Sequence, residues 1–382
     1  MDQDAPPGAR AVTRLGRWLT DGTPYLAILT GLGGLLVVLA YAIGGWQIIQ
    51  TSTDVVGQGF SWLRPASWAV AMLQTGNLVV DILGLAVALY AAYGVAGQSA
   101  LIPAFAGGLA AVTMNTGYLG GLAAGVLAGA VTRALERITV PARWRAVTAK
   151  AVIPLITTLA TAVVFFSALV NPQLAHLNSW MYGHLVALEV TDHHLLLGLV
   201  LGLAVCCDLG GAVYKIAYGY ALAGIQSYSP IPAHTSFMAV VMAAGMVPPV
   251  GLSLATVIRR KLFTPAERSY GKVAWLPGLA FVPEAAVPFA LRDPLRVIPA
   301  SMAGGAVTGL LITTFGSTIP VPHGGFFAAD QLGKPLLFAV AVAAGALVTA
   351  GVAVALKSLR RTEIPVSTGT AGSTRPTVAV AG

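Results

Sequence analysis

Long apolar runs dominate the hydrophobic pattern of this chain. Six stretches contain no Asp, Glu, Lys or Arg: residues 22–53, 82–132, 151–188, 216–258, 297–329 and 335–356. A run of about 20 apolar residues is enough for one helix to cross a bilayer. The first and last runs therefore hold one crossing each, and the longer runs hold two crossings or one crossing with a re-entrant segment. We predict an all-α polytopic membrane protein with about ten transmembrane helices and re-entrant hairpins.

Glycine, proline and polar residues divide these runs into separate elements. The segments predicted to be helical are Tyr25–Gly45, Trp68–Gly94, 151–170, 195–208, 242–258 and Pro335–Leu356. The segment between the first two helices carries two tryptophans among polar residues, which indicates an interfacial loop. Pro248 and Pro249 predict a kink in the fifth helix.

Two polar breaks are predicted inside the second apolar run, at residues 97–99 and at Asn115-Thr116-Gly117. After the second break, glycines recur every four residues, at positions 117, 121, 125 and 129. Such a stripe allows a neighbouring helix to approach closely, so we interpret it as a packing seam. The polar MNTG sequence before it is alternatively unwound backbone that faces a ligand.

Composition and charge support a membrane protein. Hydrophobic residues make up 56% of the chain and charged residues 9%, whereas about 25% charge is typical of soluble proteins. The net charge of +8 comes from basic residues in the gaps between apolar runs, which is the positive-inside pattern and not a nucleic-acid-binding surface. We place both termini in the cytoplasm, with a disordered lead at 1–23 and a disordered tail at 358–382. No cleavable signal peptide is predicted, because the first run is long enough to remain as a crossing.

Neither the cysteines nor the histidines predict a metal site. Cys206 and Cys207 are adjacent in an apolar run. They cannot form a normal disulfide with each other, and we interpret them as packing residues. Four of the six histidines fall in segment 171–194, whose amphipathic composition favours a position at headgroup level. Asp208 and Lys215 form a buried ion pair, or belong to a transport pathway, or Lys215 reaches towards headgroups.

Two ionisable residues lie at membrane depth in the segment 281–325: Glu284 in an apolar sequence and His323 in the broken sequence PHGG. An ionisable group costs roughly 2.5–3.5 kcal/mol at the centre of a membrane helix, so it usually marks a binding site or pathway. Broken backbone is tolerated there only where protein buries it or it lines a cavity. We predict that Glu284 and His323 meet in a polar cleft. The alternatives are an ion pair of Glu284 with Arg292 and a local cap of the PHGG turn by His323.

Several long sequences resemble the membrane component (EIIC) of the phosphoenolpyruvate-dependent sugar phosphotransferase system, fructose branch. They extend from about Gly31 to Lys357 and are GYLGGLAAGVLAGAV, LLGLVLGLAVCCDLGGAVYK, VVMAAGMVPPVGLSLAT, PEAAVPFALRDPLRVIPASMAGGAVTG and PHGG. The resemblance implies a homodimer in the bacterial cytoplasmic membrane. It divides the chain into a dimerisation half (24–170), an amphipathic linker (171–194) and an elevator-type transport half (195–357).

The resemblance also implies a sugar site in the transport half, in which the glutamate of the PEAAVPF motif and a histidine contact sugar hydroxyls. The candidate substrate-binding residues are Glu284, His323, Gly324, Gly325, Pro283, Asp208, Tyr214, Asn115 and Thr116. The expected partners are the sugar, the bilayer, and separate IIB and IIA phosphocarrier proteins. No catalytic residue for phosphoryl transfer, cofactor or metal is expected on this chain, since the IIB cysteine carries the phosphoryl group.

Three features depart from the family pattern. Pro283 and Ala285 flank the glutamate where the family usually has Ser or Thr before it and Gly after it. Tyr214 stands where the family usually has Asn, and no IIB domain is expected on this chain. These departures keep open an alternative, an orphan facilitator or proton-coupled carrier of an unphosphorylated sugar. A receptor without transport is disfavoured, because Glu284 and His323 would then be idle at lipid depth.

Overall fold

The computed structural model describes residues 7–169, 171–225 and 232–359. Within these ranges the chain is helical, and the one extended pairing is a bridge between Thr318 and Gly333. Except for its first two residues, the predicted disordered tail lies outside the described residues.

The N-terminal part contains nine helices among the described residues. They are α1 (Pro7–Gly44), α2 (Ile48–Gly57), α3 (Pro65–Asp81), α4 (Leu83–Ala96), α5 (Leu101–Thr113), α6 (Gly117–Leu135), α7 (Arg145–Val147), α8 (Ile153–Val163) and α9 (Asn171–Val190).

The C-terminal part continues with eight helices in the described ranges. They are α10 (His194–Cys207), α11 (Ala212–Ile225), α12 (Pro232–Ile258), α13 (Pro265–Gly271), α14 (Trp275–Leu279), α15 (Val287–Arg292), α16 (Pro294–Phe315) and α17 (Pro335–Ser358). Short 3-10 segments cover Pro283–Ala286 and Gly325–Gln331.

Seven helical stretches in the described residues are long and apolar enough to cross a membrane. One of them, Pro65–Thr113, is 49 residues long and contains α3, α4 and α5. At 1.5 Å per residue its path is roughly 70 Å, about twice the thickness of a hydrocarbon core. The prediction of an all-α, multi-pass membrane protein is confirmed.

Three predicted boundaries are wrong. The lead predicted to be disordered is helical from Pro7, because it continues the apolar helix and proline fits the start of a helix. Helix α2 lies inside the predicted interfacial loop. The single helix predicted at Trp68–Gly94 is two helices, α3 and α4, because Ile82 leaves the helical conformation with ψ near 0°. Asp81, at the end of α3, therefore stands at a break.

The glycine stripe of α6 is a packing seam, as predicted. A Cβ atom on Gly121 would lie 1.9 Å from the carbonyl oxygen of Gly84, and one on Gly125 would lie 2.2 Å from the carbonyl oxygen of Ala88. Both distances are far shorter than any van der Waals contact. Only glycine therefore allows α6 to lie against the backbone of α4.

A second glycine seam joins α10 to α16, and it is reciprocal. A Cβ atom on Gly202 would lie 2.1 Å from the carbonyl oxygen of Gly305, and one on Gly305 would lie 2.3 Å from that of Gly202. One turn further along, a Cβ atom on Gly309 would lie 2.0 Å from the carbonyl oxygen of Gly198. Cys206 packs at the same contact and its thiol donates to the carbonyl oxygen of Ala244, which confirms it as a packing residue.

A charged cluster ties α13, α16 and α17 together at one end of the fold. The Lys357 ammonium lies 3.2 Å from Glu267 Oε1 and 3.4 Å from Asp293 Oδ2. Arg296 Nη1 lies 2.9 Å from Asp293 Oδ1. Asp293, Arg296 and Lys357 line a wide groove together with the exposed basic residues 259–261.

The Gly202→Ala variant is expected to lose stability, because its methyl group meets a backbone carbonyl that cannot rotate away. Overpacking of this kind typically costs about 1–3 kcal/mol. The matched control is Gly351→Ala on α17, where a Cβ atom would meet nothing within 4 Å. Thermal unfolding of the purified protein in detergent measures both, and equal melting temperatures for the two variants would contradict the seam.

Candidate binding site at three helix breaks

Three interruptions of the helical backbone lie against one another in the fold. The first separates α5 from α6 at Asn115, the second separates α10 from α11 at Leu209, and the third precedes the 3-10 segment at Phe281. These three residues have positive φ angles of 55°, 48° and 65°. Such a conformation costs about 1–3 kcal/mol for a residue with a side chain and persists only where the surroundings enforce it. The breaks are therefore built features of the packing.

Glycines allow the three breaks to touch. A Cβ atom on Gly117 would lie 2.7 Å from the Cα atom of Gly211, so the first break lies directly on the second. A Cβ atom on Gly210 would lie 2.2 Å from Glu284 Oε1, so the second break lies against the carboxylate of the third. Gly117 and Gly210 also have positive φ angles, 63° and 98°. Each contact requires glycine for both steric and conformational reasons.

A small cavity lies at this junction. Its charged lining residues are Glu284, Lys215 and Asp81, and its remaining lining residues are Val80, Leu83, Gly84, Val112, Gly117, Tyr118, Leu209 and Gly210. The Lys215 ammonium interacts electrostatically with both carboxylates. Donors and acceptors of hydrogen bonds thus face one apolar-walled space, which is the composition of a small-molecule site.

The alternative partner for Glu284 is wrong. Arg292 lies 4.0 Å from the Glu267 carboxylate, at the charged cluster near the end of the fold. The cation that acts on Glu284 is Lys215. Pro283 is buried at the start of the 3-10 segment, where its missing N–H group is not needed.

Asp208 caps a helix. Its carboxylate accepts hydrogen bonds from the backbone N–H groups of Val213 at 2.6 Å and Tyr214 at 3.1 Å, in the first turn of α11. The predicted ion pair between Asp208 and Lys215 is wrong, because Lys215 donates instead to Asn115 Oδ1 at 2.9 Å. The first unpaired donors of a buried helix need such an acceptor, and Asp208 supplies it.

Two residues of the first break have different roles. The Asn115 side chain holds Lys215 across the junction. The Thr116 hydroxyl is buried and donates to the carbonyl oxygen of Ala111 at 2.9 Å, which satisfies the end of α5. Gly117, and not Thr116, lines the cavity.

The PHGG loop packs against the backbone that leads to Glu284. A Cβ atom on Gly325 would lie 2.2 Å from the carbonyl oxygen of Leu279, and Gly325 has a φ angle of 53°. Gly324 has a φ angle of 111° and lies beside Trp46. Gly325 therefore serves close backbone approach and fixes the loop that carries Phe281 and Glu284, whereas Gly324 supplies the positive φ angle of the turn.

His323 belongs to an aromatic cluster beside the cavity. Its Nε2 atom is hydrogen-bonded to the Tyr218 hydroxyl at 2.8 Å, and its ring centroid lies 5.2 Å from that of Tyr218 and 5.8 Å from that of Phe281. Tyr214 completes the cluster, with its ring 6.0 Å from Tyr218. His323 is not among the described residues that line the Glu284 cavity. The expected meeting of Glu284 and His323 inside that cavity is therefore not seen, although both flank the loop at Phe281.

Sequence reasoning did not identify two cavity residues, Asp81 and Tyr118. The signal for Asp81 was present, because it is the one charged residue in positions 65–113. Because Asp81 lies between two apolar runs, the pattern predicts one continuous helix there and hides the break. Tyr118 had no sequence signal of its own, since it begins an ordinary glycine-rich helix.

Comparison with known proteins gives the family. A family model described as "Phosphotransferase system, EIIC" matches residues 24–304. The chain belongs to the EIIC family of the phosphotransferase system. A fructose-specific EIIC component of the phosphotransferase system from Haloferax volcanii is 32% identical over 378 residues, which cover 94% of this chain and 96% of the relative.

Other relatives of this EIIC chain are larger. The fructose-specific EIIABC component of Bacillus subtilis is 36% identical over 83% of this chain and 48% of its own length. The fructose-specific EIIB'BC component of Rhodobacter capsulatus is 37% identical over 93% of this chain and 59% of its own length. The EIIC chain thus spans about half the length of these two relatives.

The Asp208→Ala variant is expected to destabilise the EIIC protein, because it leaves two buried N–H groups without an acceptor. Each unsatisfied buried group costs about 1–3 kcal/mol. Asp208→Asn, which keeps one acceptor oxygen, is expected to lose less, and Asp192→Asn in an exposed turn serves as the control. Thermal unfolding checks the order. Wild-type stability in Asp208→Ala would contradict the capping role.

Proposed function

We propose that this EIIC chain translocates a fructose-like sugar and presents it for phosphorylation by a IIB protein. The observation that carries the proposal is the Glu284 carboxylate, held against Gly210 in a cavity where three helix breaks meet. Relatives named fructose-specific EIIC components support the choice of sugar. The alternative, an orphan facilitator or proton-coupled carrier, is less favoured, since the relatives are named as components of the phosphotransferase system.

The chemistry of the cavity fits a polyol. A carboxylate accepts hydrogen bonds from two sugar hydroxyls, and an ammonium group donates up to three. Charge-assisted bonds of this kind are roughly twice as strong as neutral ones. We assign to Glu284 the acceptor role and to Lys215 a donor role towards the same sugar. His323 and Tyr218 form the aromatic wall that positions the loop carrying Glu284.

The wider architecture that we propose has ten crossings and two halves. The 49-residue stretch from Pro65 to Thr113 supplies two crossings. Helices α10 and α11 contain 14 residues each, about 21 Å at 1.5 Å per residue, which is too short to cross alone. Such half-helices, broken at Asp208–Gly211, are typical of transporter binding sites. The halves, 24–170 and 195–357, are joined by linker 171–194, and the transport half moves as an elevator within a homodimer.

We propose that IIA and IIB phosphocarrier proteins, separate from this EIIC chain, supply the phosphoryl group. Relatives named as EIIB'BC and EIIABC components support a IIB partner. We place IIB at the loop Arg259–Lys272, on the cytoplasmic side with both termini. The exposed basic residues 259–261 line the groove beside the charged cluster, and their charge suits an anionic phosphoprotein.

The Glu284→Gln variant is expected to lose sugar binding while it folds normally, because it removes the charge but keeps the size of the side chain. Loss of a charge-assisted bond weakens binding by about tenfold or more. Calorimetry with fructose on the purified protein measures this effect. Gly210→Ala, which displaces the carboxylate, is expected to act in the same direction, and Gly351→Ala is the control. Unchanged affinity in Glu284→Gln would remove the residue from the site.

Proteoliposomes that contain the EIIC protein are expected to accumulate sugar phosphate when phosphorylated IIB is supplied on the cytoplasmic side. Alanine substitution of Arg259, Arg260 and Lys261 together is expected to slow phosphorylation and to leave fructose affinity unchanged. Radiolabelled fructose, separated from its phosphate after uptake, gives the measurement. Accumulation of free fructose above the external concentration without IIB would replace this proposal by a proton-coupled carrier.

A further inference from the structure

Part of the cavity wall comes from the N-terminal half of the chain. Asp81 is the last residue of α3 and Tyr118 is the second residue of α6, and both line the cavity with Glu284 and Lys215. The substrate residues assigned above lie on the C-terminal half.

Asp81 is an exposed carboxylate in an apolar stretch. It is the one charged residue in positions 65–113, a stretch apolar enough to cross the membrane. An acid in such a place usually marks a binding site or pathway. The break at Ile82 and the interaction with Lys215 keep Asp81 at the cavity.

Tyr118 gives an independent indication of a ligand. The side chain is 4% exposed, and its hydroxyl has no hydrogen-bond partner among the described residues. A buried hydroxyl without a partner costs about 1–3 kcal/mol. Phenylalanine would fill the same space without this cost, so the hydroxyl is best explained by a ligand that enters the cavity.

The four polar groups together match a hydroxyl-rich molecule. Asp81 and Glu284 accept hydrogen bonds, Lys215 donates, and the Tyr118 hydroxyl does both. Lys215 offsets part of the negative charge and is itself held by Asn115 at 2.9 Å. A sugar hydroxyl is both donor and acceptor. One polyol therefore satisfies the hydrogen-bond acceptors and the hydrogen-bond donors that line the cavity.

We propose that Asp81 and Tyr118 bind hydroxyls of the same sugar as Glu284, so that both halves of the chain hold the substrate. This inference rests on the proposed function of the cavity and adds the contribution of the N-terminal half. It makes Asp81 and Tyr118 determinants of sugar specificity. Any movement of the C-terminal half against the N-terminal half then has to break these two contacts.

The test compares fructose affinity in Asp81→Asn and Tyr118→Phe with that of the wild type, by calorimetry on the full-length protein in detergent. We expect an affinity at least tenfold lower for Asp81→Asn and about fivefold lower for Tyr118→Phe, as for charged and neutral hydrogen bonds. The controls are Asp192→Asn and Tyr25→Phe, both exposed and outside the cavity lining. Thermal unfolding confirms that each variant is folded.

A second measurement separates direct contact from an indirect effect. Affinities of wild type and variants are determined for fructose analogues that each lack one hydroxyl. If Asp81 binds a hydroxyl, the loss caused by Asp81→Asn disappears for the analogue that lacks this hydroxyl, and it remains for the others. A residue that acts only through packing would show the same loss for every analogue.

The outcomes distinguish this inference from the proposed function. If Glu284→Gln loses fructose binding while Asp81→Asn and Tyr118→Phe bind normally, the inference fails and the proposed function stands. If all three bind normally, both fail. An equal loss for every analogue overturns direct contact. A loss in Asp81→Asn that appears only when sodium is present would assign Asp81 to a cation and also overturn the inference.

Discussion

The structure depends on how it satisfies backbone groups where helices stop inside an apolar layer. An unpaired buried N–H group costs about as much as a lost hydrogen bond, and lipid offers no replacement. At the break between α10 and α11, the Asp208 carboxylate accepts from two backbone N–H groups. At the break between α5 and α6, the Thr116 hydroxyl reaches the carbonyl oxygen of Ala111. The polar residues of these sequences thus maintain the breaks, and the breaks create the cavity.

Close contacts at glycine residues determine the geometry of the site. The breaks touch through Gly117 and Gly210, and the second of these holds the Glu284 carboxylate against the backbone. The seams of α4 with α6 and of α10 with α16 extend the same close approach over whole helices. In a membrane, association of helices rests on van der Waals packing and not on the exclusion of water. The small residues therefore determine how closely the helices around the cavity approach one another.

Charged residues form two groups, one at the end of the fold and one in the cavity. The cluster of Glu267, Asp293, Arg296 and Lys357 neutralises itself through ion pairs at one end of the fold. In the cavity, two carboxylates face a single ammonium group that already holds Asn115. The first arrangement is complete without a ligand and suits a structural role. The second leaves capacity for further hydrogen bonds, which is the requirement for a site that binds and releases a polyol.

The sequence by itself determined the membrane class, most of the helices and the seam of α6, and it singled out Glu284 as a candidate site residue. These features follow from local properties: the length of apolar runs, the spacing of glycines and the cost of an acid at membrane depth. The tertiary structure decided which polar residues share a cavity. Asp81 and Tyr118 share a cavity with Glu284 only because the breaks pack on one another, whereas Asp208 caps the next helix, α11, and His323 is hydrogen-bonded to Tyr218. Contacts between residues far apart in sequence depend on helix packing, and no local pattern encodes them.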